Sequence, residues 1–263
     1  MRIGLCQIVS TPEPSTNLGL VREGVASAAK RGATVVVFPE ATMACFGVPL
    51  GPLAEPVDGP WADEVREIAA EAGVTVVAGM FTPEPDGRVR NTVLVTGGGA
   101  ETHYDKVHLY DAFGFAESRT VAPGSQLVTF PIGDIHVGLA TCYDIRFPGL
   151  FTTLAANGAS VILLGASWGA GPGKREQWEL LVRARALDST SWVVACGQAD
   201  PTTVGREPLG NAPSGIGFST VADPFGRIHA QLEAKPDVLV VDLDPATVHE
   251  ARTTLPVLAN RRF

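Results

Sequence analysis

Short runs of Val, Ile and Leu recur along the chain, with helical patterns between them. The runs are "IGLCQIV" (3–9), "TVVVFP" (34–39), "VTVVAGMF" (74–81), "NTVLVT" (91–96), "HVGLATC" (136–142), "SVILLGAS" (160–167), "SWVVACG" (191–197), "GIGFSTVA" (215–222) and "DVLVVDL" (237–243). Most are continuous rather than alternating, the pattern of strands covered on both faces. Helical spacing fills 17–31, after the possible caps Ser15 and Thr16. It also fills 60–72, with Pro60 at a first helical position after Asp58, and then 148–157 and 174–189. Two hairpins break the alternation, one turning in "TGGGAETH" and one in "VADPFGRI". The order is βαβαββ, a loop-rich middle, then βαβαβββ. Many strands with helices between them point to an α/β fold of two packed sheets flanked by helices, rather than one sheet of ten or more strands.

No Pro/Gly/Ser-rich linker divides the chain, so one domain over residues 1–263 is expected. Nearly half of the residues are apolar, enough for a large common core. The net charge of −8 and the lack of a basic run argue against a nucleic-acid surface. "MRIGLCQIV" carries one charge and reads directly as a strand, so no leader is expected; no apolar stretch is long enough to span a membrane. The cysteines Cys6, Cys45, Cys142 and Cys196 lack metal-site spacing. Few, scattered thiols fit a cytoplasmic protein.

In open α/β sheets, sites gather beyond the carboxyl ends of the strands. Cys142 ends one run and is followed at once by Tyr143, Asp144 and Arg146. Glu40 ends another in "VVVFPEA". Lys106 lies in "THYDKVHLY", after the first hairpin. Singly, each has an ordinary structural explanation: a small buried thiol, a surface carboxylate, a solvated amine. Together they offer a nucleophile, a base and a cation.

"FPE", then "DK", then "CYD", in that order and spacing, resemble the nitrilase, or carbon–nitrogen hydrolase, superfamily. The resemblance runs from "GLCQ" through "RARALDSTSWVVACGQ" and "GFSTVADPFGRI" to "TTLPVLANRRF". It implies a four-layer αββα sandwich and a Glu–Lys–Cys triad on Glu40, Lys106 and Cys142, with no metal and no organic cofactor. "GFAES" matches the segment that carries a second glutamate, so Glu117 is the fourth candidate. By the same resemblance Cys142 is the nucleophile, forming a thioester, and Glu40 is the general base. Lys106 and the backbone N–H of Tyr143 form the oxyanion hole. A thiolate needs such a base, since an ordinary thiol with a pKa near ~8.5 is barely ionised at neutral pH.

"CYDIRFP" looks most like the Nit branch, implying hydrolysis of a small carboxylate-bearing amide, as by an ω-amidase or a deaminated-glutathione amidase. N-carbamoyl hydrolysis and nitrile hydrolysis are the alternatives within the superfamily; a non-catalytic binding protein of the same fold is the remote one. Asp144 and Arg146 read first as partners of other buried charges. The sharper reading has Arg146 bind a substrate carboxylate. Phe46, Ser167 and Trp168 sit on loops that line the pocket in relatives, so they join Tyr143 and Arg146 as candidate substrate contacts. Trp168 has an equally good reading as a packing residue. Leu150 stands where relatives carry a glutamate. Helices 148–157 and 174–189 and the tail 250–263 resemble the family's dimer interface, with Trp178, Leu181 and Arg185 as candidates. A homodimer or larger homo-oligomer is expected.

Overall fold

The structure is a computed structural model that describes residues 1–262. Phe263, at the end of the predicted interface tail, lies outside the described residues. The first half runs β1 (Arg2–Gln7), α1 (Pro14–Lys30), β2 (Val35–Val37), α2 (Pro60–Ala72), β3 (Thr75–Pro83), β4 (Val89–Gly97) and β5 (Ala100–Asp105). A small hairpin follows, β6 (Asp111–Ala112) with β7 (Phe115–Ala116). Then come β8 (Thr129–Ile132), β9 (Ile135–Thr141), α3 (Pro148–Ala156), β10 (Val161–Ala166), α4 (Lys174–Ser189) and β11 (Trp192–Gly197). The chain ends with β12 (Thr220–Ala222), β13 (Ile228–Gln231), β14 (Asp237–Asp242), α5 (Pro245–Thr254) and α6 (Val257–Asn260).

The strands form two six-stranded sheets, ordered β14-β1-β2-β3-β4-β5 and β13-β12-β11-β10-β9-β8. Within each, three central strands are parallel and the flanking ones antiparallel. Side chains alternate along a strand, so each continuous apolar run serves two cores at once. Val35 and Val37 face the other sheet, where Leu139, Leu163 and Val194 meet them. Val36 and Phe38 face outward, onto Val21 and Val25 of α1 and Val65 and Ile68 of α2. The second sheet repeats this: Ile162 and Leu164 pack on Leu154 of α3 and on Trp178 and Val182 of α4. The result is the four-layer αββα sandwich. Each such buried aliphatic side chain contributes about 1.5–3 kcal/mol.

Several expectations need correction. Helix α1 begins at Pro14, before the predicted caps. Ser15 and Thr16 are helical, and Pro14 supplies the preset φ and the dispensable N–H of a first turn. Gly59, not Asp58, precedes α2. The strand predicted over 237–243 does not close the second half; β14 crosses back to pair antiparallel with β1. The 215–222 run pairs only over β12, because Gly215, Gly217 and Phe218 take positive φ. Neither β8 nor α5 was expected from the apolar pattern. Trp178 and Arg185 are not surface groups free to meet a second chain. Residues 178, 182, 185 and 189 form the buried stripe of α4 against the sheet. Trp178 Nε1 donates to the Phe218 carbonyl, and Arg185 Nε donates to the Ile145 carbonyl. Leu181 is half-buried. No helix among the described residues is long and apolar enough to cross a membrane.

Candidate active site

Three strand ends meet at one pocket. Glu40 follows β2, Lys106 follows β5, and Cys142 follows β9. All three are buried, and all three line one pocket together with Glu117, Tyr143 and Arg146.

Glu40 is placed by close backbone contacts. A Cβ on Gly165 would lie 2.9 Å from the Glu40 nitrogen, and one on Gly79 would lie 2.8 Å from both the Pro39 oxygen and the Ala41 nitrogen. Only glycine lets β3 and β10 approach this turn so closely. The Glu40 carboxylate is then fully engaged. Oε1 accepts from Lys106 Nζ at 2.9 Å and from Asn91 Nδ2 at 2.7 Å. Oε2 accepts from the Ser167 backbone N–H at 2.8 Å. Gln198 donates through Nε2 to the Glu40 carbonyl at 3.0 Å.

Lys106 Nζ also donates to both Glu117 oxygens, at 3.0 and 2.8 Å. Burial would lower the lysine pKa, but Glu117 and Glu40 outweigh it and hold it well above its ordinary value. The charged ammonium form is therefore favoured. Glu117 is fixed in turn by the Tyr110 N–H at 2.6 Å and by Asn91 Nδ2 at 3.2 Å.

Cys142 opens a short 3₁₀ turn, Cys142–Arg146, with φ of +44°. That is the left-handed region, which a non-glycine residue occupies at a cost of about 1–2 kcal/mol. Asp144 holds the turn. Its carboxylate accepts from the Thr141 N–H at 2.8 Å, Tyr104 Oη at 2.7 Å and the His108 N–H at 3.1 Å. His108 Nδ1 lies 2.7 Å from the same carboxylate, and its ring stacks on Phe147. Burial and Glu40 push the Cys142 thiol well above its ordinary pKa, with Lys106 opposing. The sulfur at rest is thus a neutral thiol, 3.7 Å from the Ser167 carbonyl.

The substrate-contact candidates divide. Ser167 serves through its main chain, while its hydroxyl donates to the Pro213 carbonyl. Trp168 does both things expected of it: it packs against Trp178 and lines the pocket. Phe46 lines the pocket with its ring edge-to-face on Phe81. Tyr143 packs edge-on against Tyr110. Asp144 follows the first reading given above, being fully bonded inside the protein. Arg146 does not. It donates to the Gln177 amide oxygen at 2.7 Å and lies 5.1 Å from the Trp168 ring, and no carboxylate pairs with it among the described residues. Leu150 is simply core. No cluster of three metal-binding side chains occurs among the described residues.

Sequence reasoning missed Asn91, which ties Glu40 to Glu117. Its signal was present: an amide in an otherwise apolar strand run must find buried partners. It also missed Tyr110 and Lys174, which line the pocket from loop and helix start.

A family model described as carbon-nitrogen hydrolase matches residues 2–253. The hydrolase Rv0480c of Mycobacterium tuberculosis is 55% identical, covering 99% of this chain and 95% of that protein. The deaminated glutathione amidase of Escherichia coli O157:H7 is 33% identical, covering 100% of this chain and 98% of its own. Among solved structures, Saccharomyces cerevisiae Nit3, of branch 10 of the nitrilase superfamily, superposes with a TM-score of 0.85 at 25% identity, over 100% of this chain and 97% of that one.

Proposed function

The chain belongs to the carbon–nitrogen hydrolase family, in its Nit-type branch, and is a hydrolase of carbon–nitrogen bonds other than peptide bonds; from that premise we propose that it is an amidase releasing ammonia from a small carboxylate-bearing amide. The observation that carries this reading is a buried thiol, a buried carboxylate and a buried lysine around one pocket, with an arginine there that pairs with no carboxylate among the described residues.

The steps follow from the groups. Glu40 takes the Cys142 proton as sulfur attacks the amide carbon. Lys106 and the Tyr143 N–H stabilise the oxyanion; one such donor is worth about 3–4 kcal/mol of barrier. The C–N bond breaks, Glu40 returns the proton to nitrogen, and ammonia leaves. Water then adds to the Cys142 thioester, losing its proton to Glu40, and the thiol re-forms with the acid. Glu117 keeps Lys106 in place through its two hydrogen bonds. Arg146 receives the substrate carboxylate. The site calls on no cofactor in any step. A thiol nucleophile works best kept reduced, in keeping with a cytoplasmic location.

The test is ammonia release across α-ketoglutaramate, deaminated glutathione, glutaramate, plain aliphatic amides, a nitrile and an N-carbamoyl amino acid. Turnover of the carboxylate-bearing amides, with a mass increase on Cys142 matching the acyl group under rapid quench, supports the reading. Turnover confined to the nitrile or the carbamoyl compound, or none at all, refutes it.

The same reading includes a homodimer. Leu187 and Leu255 are exposed beside a groove formed by α3, α4 and α6. A single-chain mass by light scattering at micromolar concentration would count against it.

A further inference from the structure

Lys174 is the first residue of α4, after Gly173 at φ +71°. Its ammonium sits 3.6 Å from the Phe113 ring centroid and 6.0 Å from that of Trp168. Arg146 lies 5.1 Å from the same Trp168 ring. Both cations line the pocket that holds Cys142. Neither pairs with a carboxylate among the described residues.

Two cations without a carboxylate partner in one pocket are an expensive arrangement. Like charges repel, and more strongly in a partly closed pocket than in water. The start of a helix already carries partial positive charge, where an acidic residue is preferred to a basic one. Burial and Arg146 together hold the Lys174 pKa below its ordinary value. Aromatic faces under both cations offset part of the cost, by about 0.5–2 kcal/mol each. An anion between them would offset much more, accepting from a guanidinium and an ammonium at once. Lys174 also lines a neighbouring cleft together with Tyr110, Phe113 and Phe115, so its ammonium borders both spaces.

We infer that Lys174 is a specificity-determining residue: with Arg146 it forms a two-cation clamp that takes the distal carboxylate of the amide substrate and discriminates against neutral amides. This rests on the reading of the site as an amidase for carboxylate-bearing amides. It adds that selection is shared with a lysine outside the Cys142 turn, on a different element.

The experiment compares glutaramate with 4-nitrobutanamide, in which a neutral nitro group replaces the carboxylate. The readout is the ratio of their kcat/KM values. In Lys174→Met, which keeps the stem and loses the charge, the ratio falls roughly tenfold to a hundredfold, chiefly through the KM for glutaramate. Lys174→Arg keeps the ratio within a few-fold of the native protein. A merely structural lysine would lower both substrates alike and leave the ratio alone. Lys174→Gln serves if the methionine variant does not fold. If the native protein prefers glutaramate and the ratio is unchanged in the charge-removed variant, the clamp is wrong and the amidase reading stands. If the native protein shows no preference, or acts on neither compound, the reading of a site for carboxylate-bearing amides falls and the clamp falls with it.

Discussion

The two halves of the molecule follow one plan and use it differently. Ile3 pairs with Val35, and Val35 with Thr75; Val137 pairs with Val161, and Val161 with Trp192. That register lays "IGLC" on "VGLA", "RGATVVVF" on "NGASVILL", and "GVTVVAG" on "TSWVVAC". Shared packing details follow. Gly4 and Gly138 both admit a covering helix, with Ala28 and Leu154 at the place a Cβ would fill. Gly32 and Gly158 both turn through positive φ before the second strand. Yet Cys142 corresponds to Ile8, and Glu40 to Ala166. In the first half, β1 runs on into a buried isoleucine whose carbonyl accepts from Ala199. In the second, the chain breaks into a strained turn, and a thiol faces a pocket. The first half supplies the buried charges and the second the thiol proposed as nucleophile. Strand ends of this fold are thus general platforms, and the local turn beyond each decides whether its side chain faces the pocket or stays in the core.

The largest effect should come from the position that departs most from its counterpart. Cys142→Ala is expected to lower kcat/KM by at least about 10⁴-fold. The fold should persist, since the change removes a small group already facing a pocket, and circular dichroism would check this. Turnover near the native rate would remove the asymmetry on which the comparison rests.

A second test asks how each half positions the other's group. Gly165 belongs to the second half but presses on the turn that carries Glu40. Gly165→Ala forces the Glu40 backbone to shift by a few tenths of an ångström or more. Loss of kcat/KM by about 10²-fold is expected from such misplacement, with destabilisation of about 1–3 kcal/mol from overpacking. Native activity in this variant would mean that Glu40 is not held by that contact.

A third test targets the turn. Asp144→Asn keeps the shape and removes the charge that gathers the Thr141, Tyr104 and His108 donors. A cost of about 1–3 kcal/mol in urea unfolding is expected. Activity should fall as well, because the strained φ at Cys142 loses its restraint. A fall in stability with no change in kcat/KM would separate the turn's conformation from its chemistry.

These contrasts also explain what was legible beforehand. Most strands, the helices α1 to α4 and both hairpins were readable because continuous apolar runs and turn residues report burial directly; β8 and α5 carry no such run and were not. The three strand-end groups were readable because their motifs occur in order. The repeat was not, since its spacers differ: 32 residues separate Ile3 from Val35, but 24 separate Val137 from Val161. Strand β14 was assigned to the wrong half because an apolar run names no partner. Asn91 and Lys174 act through distances in space that one-dimensional spacing does not carry. Trp178 and Arg185 misled because helical position alone does not tell which stripe faces the sheet.

The smallest effect belongs to Ile8, and it is the sharpest check on the comparison. Ile8 is buried against the helices of the first half. Ile8→Val removes one methylene from that packing. The cost should be about 0.5–1.5 kcal/mol of stability, from lost transfer energy and the small void. It should appear as a lower urea midpoint with an unchanged slope. Because Ile8 sits where the other half carries its proposed nucleophile, a purely structural role requires kcat and KM to remain native. If the valine variant instead lost activity in proportion to nothing in its stability, the first strand end would be coupled to the site. The two halves would then share one function at corresponding positions rather than divide it.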